Sequence, residues 1–134
     1  MTNVLRWMAA LMCCSAFAAD VPSPALLVLN KEESTLAFVN PSTGKVTGRV
    51  QTGEGPHEVE VSADGKYAFT TNYGSGSAPG NSLSVIDLTK GESRKFDLTP
   101  LQRPHGISVE GNEAWFTAEA KVDQNSAPVP AMLS

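Results

Sequence analysis

Hydrophobic and polar residues alternate along most of the chain in short runs, and glycine, proline or aspartate separates one run from the next. Alternation with a period of two predicts β-strands. Asp64-Gly65 and Lys90-Gly91 stand at two tight turns, because glycine accepts the positive φ that such turns need. The middle of the chain therefore holds a unit of four predicted strands, at residues 57–62 (HEVEVS), 66–72 (KYAFTTN), 81–88 (NSLSVIDL) and 93–98 (SRKFDL).

Parts of two similar units flank this four-stranded unit. The strands predicted before it correspond to its second, third and fourth strands, and those after it correspond to its first and second. No first strand is predicted before the earlier unit, because Pro22 and Pro24 in the preceding segment disfavour strand pairing. The flanking strands are predicted at residues 25–31, 34–40, 45–52, 105–110 and 112–119.

The units form an internal repeat. Pro56-His57 recurs 48 residues later as Pro104-His105, and the second strands of the two units align at an offset of 47 residues. A repeat of about 40–50 residues built only from short strands and turns is typical of a β-propeller blade. We therefore predict an all-β fold of antiparallel four-stranded blades. About two to two and a half blades are present, so the ring is incomplete, since a closed ring takes at least about four blades.

The first residues predict a secretory signal peptide over residues 1–18, with a helical apolar core. Arg6 precedes an apolar run from residue 7 to residue 17, and small residues at Ala16 and Ala18 indicate cleavage after Ala18. An uncleaved membrane anchor and a lipoprotein processed near Cys13 are the alternatives. The run is shorter than the roughly 20 residues that span a bilayer. We expect a periplasmic or extracellular protein without a membrane span after cleavage.

Composition narrows the classes of partner. The chain has a net charge of −4 and no clustered lysine or arginine, which excludes nucleic acid as an expected partner.

Residues 19–25 form a short lead-in, residues 26–120 the partial propeller, and residues 121–134 an irregular tail. We expect a fragment of a longer propeller, whose open blade edges favour self-association.

Three stretches resemble two known repeat families. AFTTNYGSG (68–76) and NSLSVIDLTKGE (81–92) resemble the YVTN β-propeller repeat. RPHGISVEGNEAWFTAEA (103–120) is similar to the repeat of streptogramin (virginiamycin B) lyase. The resemblance covers residues 26–120 and implies propeller blades, commonly seven in full members. It implies little about activity, because one fold supports many functions.

The repeat places a set of polar residues on one rim of the predicted propeller. His57 and His105 begin the innermost strands of adjacent blades, and the ends of the second strands reach the same face. These histidines are candidate catalytic bases or metal ligands. The alternative is that each hydrogen-bonds a neighbouring blade and fixes a corner. The other predicted rim residues are Glu58, Asn72, Tyr73 and Glu119.

Glu58 has two interpretations, a channel-lining carboxylate or an inner-strand side chain that is solvated or satisfied by a neighbouring blade, and the second is favoured. The loop at residues 73–81 lacks the pattern of a phosphate-binding loop and is predicted as a flexible rim loop. The predicted core between blades comprises Phe38, Phe69, Val85, Ile107, Val109, Trp115 and Phe116.

Two functions follow as hypotheses. The first is a secreted, non-enzymatic binding or scaffold module that takes a small molecule or a protein at its propeller face, with no cofactor evident. The second is a lactonase-like or streptogramin-lyase-like enzyme. In that case a rim histidine acts as base and a divalent cation polarises the substrate.

Overall fold

A computed structural model describes residues 21–111 and 113–120. The predicted signal peptide and tail, residues 1–18 and 121–134, lie outside the described residues. Within the described ranges there is no helix long and apolar enough to cross a membrane. The strands are β1 Leu26–Asn30, β2 Thr35–Val39, β3 Val46–Gln51, β4 Pro56–Val61, β5 Tyr67–Gly74, β6 Pro79–Asp87, β7 Glu92–Asp97, β8 Leu101–Gln102, β9 Ile107–Glu110, β10 Glu113–Phe116 and β11 Glu119–Ala120.

The strands form antiparallel sheets, which confirms the all-β prediction. The four-stranded sheet has the order β4-β5-β6-β7, and the three-stranded sheet before it has the order β1-β2-β3. Two short pairs follow, β9 with β10 and β8 with β11. β1 lies against β4, β3 against β7, and β4 against β9, so successive sheets sit side by side. Over the described part of the chain they form no closed ring.

Asp64 and Gly65 form the predicted turn between β4 and β5. Gly65 has φ 69°, and its N–H donates to the carbonyl of Ser62 at 2.8 Å. The Asp64 carboxylate accepts hydrogen bonds from the Ser62 hydroxyl at 2.8 Å and from the Lys66 N–H at 3.1 Å. These bonds hold the pKa of Asp64 down at about 2, with the Ser62 hydroxyl as the largest cause.

The core lies between the first two sheets. Leu36, Phe38 and Val50 of the three-stranded sheet pack against Ala68 and Ile86 of the four-stranded sheet. Fully burying an aromatic or branched aliphatic side chain contributes about 1.5–3 kcal/mol. This interface therefore stabilises the pair of sheets, and Phe38 is buried as predicted.

The opposite face of the four-stranded sheet is only half covered, which corrects part of the predicted core. Trp115 is 45% exposed and Phe96 is 48% exposed. For Phe96 the physical reason is that β9 and β10 supply two short strands against a sheet of four, leaving a cleft of about 540 Å³ between them. Trp115 lies outside that cleft, on β10 of the short two-stranded sheet. The predicted core residues that are only half-buried are Phe69, Val85, Ile107, Val109 and Phe116.

Three predicted boundaries also differ. The strand predicted from residue 105 begins at Ile107, and the strand predicted over residues 112–119 is divided between β10 and β11. It divides because β11 pairs with β8 instead of continuing beside β9. The predicted rim loop is short, because β5 runs to Gly74 and β6 begins at Pro79.

Candidate functional site

The structure brings both predicted histidines to one end of the sheets. Antiparallel pairing sets the start of β4 against the end of β5, with Pro56 opposite Asn72. His57 therefore lies near Tyr73, which follows Asn72 on β5. His105 arrives from the segment before β9, which lies beside β4. We call the four side chains that meet here, His57, Glu58, Tyr73 and His105, the histidine cluster.

A bulge at the start of β4 aims His57 and Glu58 toward the same place. The register moves by two residues on β4, from Pro56 to Glu58, while it moves by one on β5, from Asn72 to Thr71. Consecutive residues of a regular strand point to opposite faces, whereas a bulge redirects a side chain. As a result His57 Nδ1 lies 4.0 Å from Glu58 Oε1.

Backbone hydrogen bonds fix His105 from the end of β10. Its N–H donates to the carbonyl of Thr117 at 2.8 Å, and the Thr117 N–H donates to the carbonyl of Gly106 at 2.9 Å. The Gly106 N–H donates to the Thr117 hydroxyl at 3.0 Å. The Pro104 ring before His105 is fully buried. His105 is thus anchored through its backbone, and its side chain remains half exposed.

The two imidazoles and the carboxylate are close enough to act together. His105 Nδ1 lies 3.0 Å from Glu58 Oε1, the same oxygen that faces His57. The imidazole rings have centroids 4.3 Å apart and planes inclined by 44°. One ligand atom from each of the three residues lies within 4.8 Å of the others. Their side chains keep 33%, 39% and 49% of their surface exposed, in the order His57, Glu58, His105, so a ligand can reach them.

Tyr73 forms one wall of the cluster, and two cations lie on its ring. Its centroid is 5.3 Å from that of His57 and 5.6 Å from that of His105. The Lys31 ammonium and the Arg103 guanidinium lie 5.2 and 5.1 Å from the Tyr73 centroid, within reach of a cation–π interaction. Sequence reasoning missed both cations, since neither belongs to the repeated Pro-His pair.

Burial lowers the pKa of His57, and the nearby His105 and Lys31 lower it further, while Glu58 acts in the opposite direction. The neutral imidazole is favoured in consequence. A neutral imidazole nitrogen can accept a proton or bind a metal ion. The cluster is therefore equipped for ligand binding, for general-base chemistry or for metal coordination.

Two predicted rim residues do not join the cluster. Asn72 is fully buried, and its amide donates to the Ser82 and Ser84 hydroxyls at 3.0 Å each. It ties β5 to β6 at the cluster end of the sheets, but its buried side chain is closed to ligands, which corrects its predicted role as a binding residue. Glu119 is exposed and pairs with Arg103, with Nε to Oε2 at 3.6 Å. It borders the cluster through that arginine, which lies over the Tyr73 ring.

Comparison with known proteins gives a likeness of fold. No protein-family model matches the sequence, and no curated protein matches it. Among solved structures, hydrazine synthase of Kuenenia stuttgartiensis is similar, with a TM-score of 0.59 and 26% sequence identity. The match covers 69% of this chain and 25% of that chain. This chain therefore spans about a quarter of the length of that relative.

Proposed function

We propose that this chain is a secreted YVTN-type β-propeller repeat protein that acts as a non-enzymatic binding module. The histidine cluster is its ligand surface, and the ligand is a small polar molecule. The observation that carries the proposal is the convergence of His57, Glu58, Tyr73 and His105 at one end of the sheets, with exposed polar atoms.

Three findings support the propeller interpretation. The repeat of 47–48 residues in the sequence coincides with successive sheets that lie side by side. The strands that carry the cluster, β4 and β9, occupy the same position in their repeats and contact each other. The similarity to a quarter of hydrazine synthase supports a shared fold over that part. We propose none of that enzyme's activity for this chain.

The composition of the surface supports small-molecule binding. Pockets for small ligands combine an aromatic wall with a few polar groups that fix orientation. Tyr73 supplies the aromatic wall, and the imidazoles with Glu58 supply hydrogen-bonding groups. Strands β4 and β5 carry His57, Glu58 and Tyr73, and backbone hydrogen bonds anchor His105, so little order has to be created when a ligand binds.

A ligand screen by nuclear magnetic resonance tests the proposal. The ¹⁵N-labelled chain is titrated with a library of small polar molecules, and shifts are mapped onto the sequence. We expect hits that move the signals of residues in the histidine cluster and that are lost in Tyr73→Ala. Tyr67→Ala is the matched control, because Tyr67 is an exposed tyrosine at the other end of β5. Hits that map only elsewhere, or that survive Tyr73→Ala, would contradict the proposal.

A lactonase-like or lyase-like enzyme is the second candidate. The 3.0 Å contact between His105 Nδ1 and Glu58 Oε1 favours it, because a carboxylate that orients an imidazole makes it a better general base. His105 would take the proton from a water or from a substrate carbon. Turnover of lactone or streptogramin substrates that falls in both His105→Ala and Glu58→Gln supports this candidate. Turnover that neither change lowers removes it.

A further inference from the structure

We infer that His57, Glu58 and His105, the metal triad, form a binding site for a first-row divalent transition-metal ion such as Zn²⁺. The inference rests on the proposed function, which makes the histidine cluster the ligand surface, and it names one ligand of that surface.

The spacing of the three side chains fits a metal ion. Bonds of about 2.0–2.2 Å in a tetrahedral site place ligand atoms about 3.3–3.6 Å apart. The Glu58 Oε1 atom lies 3.0 Å from His105 Nδ1 and 4.0 Å from His57 Nδ1, distances on either side of that value. All three ligand atoms fall within 4.8 Å of one another. Small rotations of exposed side chains would therefore complete the coordination.

The donor set selects the kind of ion. Imidazole nitrogens suit Zn²⁺, Cu²⁺ and Ni²⁺, whereas Mg²⁺ and Ca²⁺ prefer oxygen donors alone. Two nitrogens and one carboxylate oxygen match the ligands of zinc sites that keep one position open. The open position faces solvent here, because each member of the triad is a third to a half exposed. A metal at the triad could thus hold a further small ligand beside Tyr73.

The backbone supports the triad before any metal arrives. The bulge in β4 directs His57 and Glu58 to one point, and hydrogen bonds from β10 fix the backbone at His105. Since the triad joins β4 to the segment before β9, a bound ion would also link two successive sheets.

Zinc binding to the purified, tag-free chain tests the inference. The chain is used after removal of residues 1–18, which contain both cysteines, so that no thiolate competes for the ion, and Zn²⁺ is titrated by calorimetry after removal of metal with a chelator. We expect one ion per chain, no competition from millimolar Mg²⁺, and binding at least about tenfold weaker in each of His57→Ala, Glu58→Gln and His105→Ala. Glu60→Gln is the matched control, because Glu60 is an exposed glutamate two residues along the same strand. No zinc binding, or binding that the triad variants leave unchanged, would overturn the inference.

If a variant misfolds, the parent chain with its triad unaltered still provides a test. Ni²⁺ is added to it, and the paramagnetic broadening of its nuclear magnetic resonance signals is mapped onto the sequence. Broadening centred on His57 and His105 supports the site, and broadening elsewhere overturns it. The test of metal binding and the test of small-molecule binding can fail independently of each other. A chain that binds small molecules at Tyr73 but no metal refutes this inference alone. A chain that binds zinc at the triad but no small molecule refutes the small-molecule proposal alone.

Discussion

His105 Nδ1 lies 3.0 Å from Glu58 Oε1, although Glu58 belongs to β4 and His105 precedes β9 in the next repeat. The pair exists only because the two sheets lie side by side. It is therefore a direct product of the repeat, and both partners remain exposed enough to meet a ligand.

We expect His105→Ala to lower the free energy of unfolding by less than about 1 kcal/mol, because exposed ion pairs and hydrogen bonds contribute little to stability. Urea denaturation of the variant and the parent chain measures the change. A loss well above about 2 kcal/mol would instead assign His105 the structural role of fixing a corner between units.

Asn72→Ala should be far more costly, at about 2 kcal/mol, because it leaves the buried Ser82 and Ser84 hydroxyls without their amide partner. Asn81→Ala is the control, since the Asn81 amide makes its hydrogen bonds on an exposed part of the same sheet. Equal losses in the two variants, measured by urea denaturation, would contradict a structural role for Asn72.

Thr70→Val should raise stability by about 1 kcal/mol. Within the described residues, the Thr70 hydroxyl is buried without a hydrogen-bond partner, and removing it relieves a desolvation cost. The neighbouring Thr71→Val is the control and should destabilise, because the Thr71 hydroxyl accepts a hydrogen bond from the Glu58 N–H at 3.3 Å. Thermal unfolding measures both variants, and a higher unfolding temperature for Thr71→Val than for Thr70→Val would contradict this assignment.

Asp64→Asn should destabilise the chain at neutral pH but not in strong acid. Folding lowers the pKa of Asp64 from 3.8 to about 2, so its contribution is complete above pH 4 and disappears as the pH falls through about 2. The stability difference between Asp64→Asn and the parent chain, measured by urea denaturation across this range, should shrink as acid is added. A difference in the free energy of unfolding that stays constant from pH 6 to pH 2 would contradict this stabilising role of the Asp64 carboxylate.

Phe96→Thr should reduce self-association. Phe96 is 48% exposed and lines the open cleft, and uncovered apolar sheet faces favour association between chains. Analytical ultracentrifugation should show a larger monomer fraction than in the parent chain. Lys95→Thr, at an exposed position on the same strand, should leave the distribution unchanged. A parent chain that is fully monomeric at all concentrations would contradict the expectation.

The strands were predictable because alternation and glycine turns are local signals. The boundaries of β4 and β7, for example, differ from the sequence prediction by one residue at each end. Which elements cover a strand depends on the rest of the fold, and this could not be predicted from local signals. The exposure of Trp115 follows from the short sheet around it, which no local pattern encodes.

The candidate site was predictable in part for the same reason. The repeated Pro-His pair marks His57 and His105 as equivalent positions, and equivalent positions of adjacent repeats lie close together. The bulge that aims Glu58, and the approach of Lys31 and Arg103 to Tyr73, depend on register and loop path. Those features have no repeating pattern in the sequence from which they could be predicted.

Anomalous diffraction at the zinc absorption edge, from crystals of the chain soaked in Zn²⁺, tests most directly whether the repeat builds a ligand site from His57, Glu58 and His105. We predict one strong peak within bonding distance of a nitrogen of each histidine and an oxygen of Glu58. A map with no peak at these three side chains, in crystals where their surface is open to solvent, would contradict the assignment.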